Sequence, residues 1–482
     1  LLHTMQLIRK KIRSDYSSDS KEATQIEWDF AHKQVYGIEV NDRIARIAMM
    51  NMIIHEDAHG NIEHNNALRD PTQFDPRKGF AFDKFTLILT NPPLGKSFKE
   101  ADPQIIANFK LGARSQVISV LMIEQCFKFL SNGGRLGIVL DDGVLNDPGY
   151  DCVRVHILEN SIVKAVVSLS PIAFKVAAAG AMTSVVLLEK ADKKAAEKDY
   201  PIFMAHVDHV GYDAVGRDDI DQLPLVLDEY SKFVRDPSNY AEKSEDGFWT
   251  RGIMKSELDG RLDAWHYYRP YLKTLEQIEQ LNCPTPKLKD LTIPKGIFYP
   301  GRMRRILADK DQGVPFLSIR NVKEDGIDIA NVNYVSKNTR NLKSYLIEKG
   351  WILLTRSGTV GLARNVDAKA DGFAASEHIF RIIPKPDVDA DYLTAILNSF
   401  PCQQQIRREK YGAVIFEISP EAVESLRIPY PEREETRKAV FETRKAAIMT
   451  KVAKLRDAFR LKQEGEAVVS KAEEEIMKLI AG

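Results

Sequence analysis

The stretch Asn91-Pro92-Pro93-Leu94-Gly95-Lys96-Ser97 follows directly on an apolar run, FTLILT at residues 85–90, and three chemistries compete for it. The first is phosphate binding, because Gly95, Lys96 and Ser97 match the end of a G-x-x-x-x-G-K-[ST] loop. That loop cradles phosphate with backbone N–H groups. Pro92 and Pro93 have none, and position 90, where its first glycine belongs, is threonine. The second is a plain Pro-Pro turn that ends a buried strand. It explains the prolines but not Asn91, a polar side chain at the carboxyl edge of an α/β sheet, where ligands bind. The third uses every residue. An exocyclic amine on a base is a weak nucleophile because its lone pair is delocalised into the ring. Hydrogen bonds accepted by the Asn91 amide oxygen and the Pro92 carbonyl would draw that nitrogen towards tetrahedral geometry and aim its lone pair at a methyl donor. Pro93 and Leu94 would shape a pocket for a base taken out of its stack.

A second constellation, HEDAH at residues 55–59, fits the zinc-protease pattern H-E-x-x-H. His59 directly precedes Gly60, which should end the helix, and His64 is too close to serve as third ligand. A packing helix is the better reading, and no metal is expected. The four cysteines, Cys126, Cys152, Cys283 and Cys402, form no C-x-x-C pair, which fits a reducing cytoplasm. No apolar run is long enough to cross a membrane. The opening LLHTMQLIRKKIRSD has no signal-peptide cleavage site. The net charge of zero conceals a split, roughly −7 over residues 1–260 and roughly +7 over 261–482, so a polyanion should be gripped by the second half.

The elements that must position Asn91 alternate. VYGIEV (35–40), FTLILT (85–90), RLGIVL (135–140), KAVVSL (164–169) and TSVVLLEK (183–190) read as strands. The run from Asn41 to Gly60 and SVLMIEQCFKFLSNGG, closed by Gly133 and Gly134, read as helices. Such alternation predicts an α/β fold with a doubly wound, mostly parallel sheet over residues 1–190. Residues 191–260, charged and loop-rich, read as a connector. Short β-like runs between turns over 261–430 predict an α+β domain, and 431–482 a helical segment for spacing or dimerisation. In that segment Phe441, Ile448, Val452, Leu455 and Phe459 fall near a coiled-coil seam, or near the face of a helix packed on its own domain.

NPPL after an apolar strand resembles the [DNS]-P-P-[FYW] motif of amino methyltransferases. With YGIEVNDRIARIAMMNMIIH, LSNGGRLGIVLDDGVL, SLSPIAF and AMTSVVLLEK in this order, residues 1–190 resemble the adenine-N6 DNA methyltransferase (modification) subunits of type I restriction–modification systems. The resemblance implies S-adenosylmethionine as cofactor and DNA adenine as methyl acceptor. It implies that Glu39, with Val40 beside it, holds the cofactor ribose, as suits a carboxylate accepting two hydroxyl protons. It places Asn66, with Ala67, against the cofactor's adenine. Two departures stand out. Leu94 replaces an aromatic that would stack on the flipped base, worth about 1–3 kcal/mol. The glycine-rich loop of the family's first strand has no counterpart here. A longer natural chain upstream is therefore expected; without that central strand the sheet should carry unpaired backbone and an apolar slot.

RLDAWHYYRPYL (261–272), PFLSIRNV (315–322), WILLTRSGTVG (351–361), YGAVIFEIS (411–419) and LRIPYP (426–431) resemble one target-recognition domain of a type I specificity subunit, followed by its spacer helix. The resemblance implies double-stranded DNA as partner. Arg302, Arg304 and Arg305 form the densest cationic cluster, and Arg320 and Arg356 sit in motif loops; these are the candidate DNA contacts. A homodimer through the C-terminal helices could read a split target, and a restriction subunit is a further partner. No paired acids followed by E-x-K mark a nuclease, which would lie upstream or in another subunit. The expected function is site-specific DNA adenine methylation. Its rivals are a catalytically inactive DNA-binding module and a methylase of protein glutamine or RNA, against which the recognition domain argues.

Overall fold

The structure is a computed structural model; it describes residues 2–16, 20–55, 61–95, 103–175, 180–302, 304–457 and 462–481, with the side chains of 452–467 left aside. It divides into two units, residues 1–178 with 183–260 and residues 179–182 with 261–482.

In the first unit β1 (Gly37–Glu39) pairs in parallel with β2 (Ile62–His64) as a small sheet of its own. The main sheet comprises β3 (Phe85–Thr90), β4 (Leu130–Asp141), β5 (Ser161–Leu169), β6 (Thr183–Lys190) and β7 (Pro201–Val207). After a small hairpin, β8 (Val210–Tyr212) with β9 (Asp218–Asp221), β10 (Lys243–Glu245) and β11 (Phe248–Met254) join it. Its order is β10-β11-β7-β5-β6-β4-β3. The pairings leave β6 and β11 antiparallel to the other strands, so most of the sheet runs one way. The central strands are apolar on both faces. Leu136, Ile138 and Leu140 of β4 and Val163 and Val166 of β5 are buried, as a sheet covered on both sides requires.

Two features differ from the sequence reading. Residues 191–260 are not a connector, because β7 and β11 extend the main sheet, with Phe203, Phe233 and Phe248 in one core cluster. The helix Ile118–Phe129 ends ahead of Gly133 and Gly134, which lie inside the run of β4; Gly133 has φ +75° and bends it.

β3 is an edge strand whose outer side carries no partner among the described residues. Its Leu87 and Leu89 are exposed, as are Ile44, Ile47, Met50, Ile53 and Ile54 on the helix Asp42–Ile54. Exposed apolar side chains at this spacing make a face, where a solvated helix would carry polar residues.

The second unit holds a four-stranded antiparallel sheet in the order Thr292–Phe298, Ile379–Pro384, Ile352–Thr355, Ala363–Asn365. A three-stranded sheet of Asn333–Ser336, Gly313–Leu317 and Ala374–Ala375 accompanies it. The helix Glu434–Asp457 packs on the helix Lys462–Ala481 and on Ala390–Leu397 of the same chain. Val440, Ile476 and Ile480 are buried in the domain core, while Phe441 and Ile448 are half-buried. The C-terminal helices are thus covered in part by their own domain; the side chains of Val452, Leu455 and Phe459 lie outside the described residues.

Candidate active site and candidate nucleic-acid interface

The register of β3 on β4 sets Thr90 opposite Ile138, so Asn91 emerges where the strand ends. Asn91 and Pro93 are exposed, Leu94 is half-buried and Pro92 is buried. The corner is therefore anchored by one proline and open to solvent on its amide side. The Asn91 amide makes no hydrogen bond among the described residues. Gly95 takes φ +62°, a left-handed turn that carries the chain away. Lys96 and Ser97, on which a phosphate loop would depend, lie outside the described residues, as do residues 56–60 of the HEDAH stretch; His55 caps the preceding helix.

Glu39 ends β1, and its Oε1 accepts from the Asn41 N–H at 2.7 Å, which fixes the carboxylate and leaves Oε2 available. Parallel pairing sets Glu39 opposite His64, and Asn65 N–H donates to the Glu39 carbonyl at 3.1 Å. Glu39 and Asn66 are thereby brought to the same ends of two adjacent strands. Asn66 Oδ1 accepts from Leu68 N–H at 3.0 Å, so its NH2 group is the available end. The Ala67 carbonyl accepts from Gln125 Nε2 at 2.8 Å, and Val40 is exposed beside Glu39. The pair therefore presents one oriented carboxylate oxygen, an acceptor of the kind a ribose hydroxyl needs, and one oriented NH2 donor of the kind an adenine ring nitrogen needs.

Sequence reading missed a neighbour of the Asn-Pro-Pro corner. Asp141 ends β4, and its Oδ2 is buried with no partner among the described residues. Burial raises its pKa, while N–H groups of Val144, of Asp141 itself and of Gly95 offset part of that rise. Asp142, next along, is buried and bonded to Ser184 Oγ at 2.7 Å. The signal was present as two acids after the apolar run RLGIVL.

In the second unit the five candidate arginines divide. Arg302, Arg304 and Arg320 are exposed and form no ion pair among the described residues. Arg305 pairs with Glu377 at 3.2 Å and lies 5.0 Å from the Phe316 ring. Arg356 is largely buried, forks onto Glu417 at 2.9 and 3.1 Å, and stacks 4.3 Å from the Tyr299 ring. A guanidinium committed in this way holds the loop; the three arginines without an ion pair among the described residues are the ones available to a phosphate.

An open sheet with a polar corner at a strand's end, followed by a separate α+β unit, agrees with the family comparisons. Residues 17–223 match the N-6 DNA Methylase family, and residues 297–463 match the type I restriction modification DNA specificity domain. The chain therefore joins an N-6 DNA methylase domain to a specificity domain of the type I restriction–modification kind. Among individual proteins it is similar to the type II methyltransferase M.VspI of Vibrio sp. (strain 343), 28% identical over 130 residues, 27% of this chain and 30% of that protein. Of solved structures, the type IIL restriction-modification enzyme MmeI in complex with DNA aligns over 99% of this chain and 67% of its own, with TM-score 0.54 and 12% identity. A modification subunit of a type I restriction enzyme from Vibrio vulnificus YJ016 aligns over 51% and 49%, with TM-score 0.39 and 17% identity. The chain thus spans less than a third of M.VspI and about half of that modification subunit. No helix among the described residues is long and apolar enough to cross a membrane.

Proposed function

We propose that this chain methylates the exocyclic amine of adenine at a specific DNA site, with S-adenosylmethionine as donor, within a restriction–modification system. The observation that carries the reading is the unengaged Asn91 amide at the open end of β3, within an N-6 DNA methylase domain. The Asn91 oxygen and the Pro92 carbonyl accept the two amine hydrogens, and the stiff Pro-Pro backbone keeps both acceptors in place. Leu94 offers apolar contact to the extruded base, and Pro93 walls the pocket. Glu39 accepts from the ribose hydroxyls, and the Asn66 NH2 group donates to the cofactor's adenine ring. A bound S-adenosylmethionine would supply a sulfonium methyl for the amine nitrogen to take, the thioether being the leaving group, and the amine would release its spare proton to solvent. Arg302, Arg304 and Arg320 hold phosphates of the duplex. A homodimer and a restriction subunit belong to the same reading; sedimentation as a monomer at micromolar concentration, with and without DNA, counts against the dimer.

The test is transfer of a tritiated methyl group to duplex DNA, followed by digestion to nucleosides. Label in N6-methyladenine is the expected result; label in cytosine, in protein, or nowhere sinks it. The rival is a non-catalytic DNA-binding module, favoured by Leu94 in place of an aromatic. Calorimetry separates the two: no heat with S-adenosylmethionine while DNA still binds supports the rival.

A further inference from the structure

We propose that Val414 and Ile415, at the tip of the loop from Tyr411 to Glu417, read thymine in the major groove by packing on its 5-methyl group. The proposal rests on the second unit being the DNA-recognition half. Both side chains are 63% exposed, an unusual position for two adjacent β-branched residues.

The loop that presents them is firmly held. Tyr411 and Glu417 exchange both backbone hydrogen bonds at 2.9 Å, and Gly358 N–H donates to the Phe416 carbonyl at 2.9 Å. Gly412 takes φ +101°, and a Cβ there would lie 2.5 Å from the Ile415 carbonyl oxygen, so the turn requires glycine. Below it the Arg356–Glu417 fork and the Tyr411 hydroxyl, 3.2 Å from Glu417, brace the base. The tip is apolar on a rigid support.

Its surroundings select the occupant. Arg407 is exposed on the helix that leads into the loop, and the Lys410 ammonium lies 6.0 Å from the Phe416 ring. Ser357, bridged to Glu417, bonds His378 Nδ1 at 2.7 Å, and the adjacent Glu377 pairs with Arg305, next to the exposed Arg304. With Arg305 and Arg356 already paired to carboxylates, the exposed Arg407 is the cation beside the loop that is open to a phosphate, and an apolar tip next to it suits a polyanion with an apolar group inside it. A protein partner would need about 800 Å² of surface, roughly 20–30 residues, far more than a two-residue tip. The side chains of Val414 and Ile415 can neither donate nor accept a hydrogen bond. In the major groove the thymine methyl is the apolar feature they can recognise.

The experiment uses the full chain and a duplex selected from a pool with a randomised centre. Each thymine is replaced in turn by deoxyuridine, which deletes only the methyl. At one or two positions the unmodified protein should bind about fourfold more weakly, the worth of one buried methyl. The double variant Val414→Ser/Ile415→Ser should bind more weakly and no longer respond to those replacements. Its slope of log Kd against log salt should be unchanged, because no phosphate contact is lost. Equal responses in both proteins, or a variant that binds as tightly as the parent, overturn the proposal. A parent that binds no duplex overturns the recognition reading itself, which distinguishes the two failures.

Discussion

Replacing Asn91 with alanine should remove methyl transfer while leaving the protein folded and bound to both ligands. The Asn91 side chain is exposed and makes no hydrogen bond among the described residues, so its truncation breaks no native contact. A surface change of this kind alters stability by about 0.5 kcal/mol or less. On the proposed mechanism the same amide accepts one of two amine hydrogens as charge develops on nitrogen. Loss of one such preorganised group lowers turnover by about 100- to 1000-fold, or about 2.7–4 kcal/mol. The Pro92 carbonyl remains, so a residual rate should persist. Glu39 ends β1 and Asn66 follows β2, both apart from β3, so the KM for S-adenosylmethionine should hold. The assay is tritiated-methyl transfer under saturating cofactor, beside thermal melting and DNA binding by anisotropy. Turnover within threefold of the parent would refute the role. A large fall in melting temperature would show instead that Asn91 is structural.

Further outcomes follow from the packing. Arg381 is fully buried and donates to the backbone carbonyls of Ser376, Ile379, Tyr345 and Ala375. Arg381→Met leaves those acceptors unsatisfied and should cost the second unit at least about 3 kcal/mol in urea unfolding; Arg381→Lys should recover only part, because an ammonium cannot fork. Burial pushes the Cys126 and Cys402 thiols up to about 12, so iodoacetamide at pH 8 should modify them only after unfolding, as read by peptide mass spectrometry. Burial alone would raise the Glu124 pKa, but the N–H groups of Leu111 and Lys110 and the Lys128 ammonium together hold it below its ordinary value of 4.5. Its contribution is present above that value and lost as pH falls through the lower folded one. Glu124→Gln should therefore flatten the loss of stability below about pH 4.5, measured by urea unfolding.

The corner at Asn91 was legible in the sequence because its chemistry is local: a strand, a polar residue and two prolines in succession. β1, β3 and β6 were legible for the same reason, as apolar runs bounded by turn residues. What the sequence hid is non-local. The runs PIFMAHV and FWTRGIM form β7 and β11, yet they sit among acidic loops, and the average composition of 191–260 masked them. The arginine cluster read as uniformly cationic because Glu377 and Glu417 lie 72 and 61 residues from their partners. Asp141 was passed over because an acid after a strand is common; the burial of its Oδ2 beside the Asn-Pro-Pro corner depends on the pairing of β3 with β4.

The two halves of the candidate site stand on separate sheets. Glu39 and Asn66 depend on the β1–β2 pair, Asn91 depends on β3, and among the described residues no strand pairing joins them. Side chains hold them together: Tyr36 packs edge-on against Phe80 and Phe85 at 5.2 and 5.1 Å, Lys84 bonds the Tyr36 hydroxyl at 2.8 Å, and Gln125 bonds the Ala67 carbonyl. Side-chain packing of this kind fixes a separation less rigidly than a ladder of backbone hydrogen bonds, and a misplacement of about 1 Å costs about 100-fold in a transfer reaction. The unpaired side of β3 and the exposed Leu87 and Leu89 lie along the element that carries Asn91. Loosening the cluster should therefore lower turnover through alignment, whereas loss of Asn91 lowers it through chemistry.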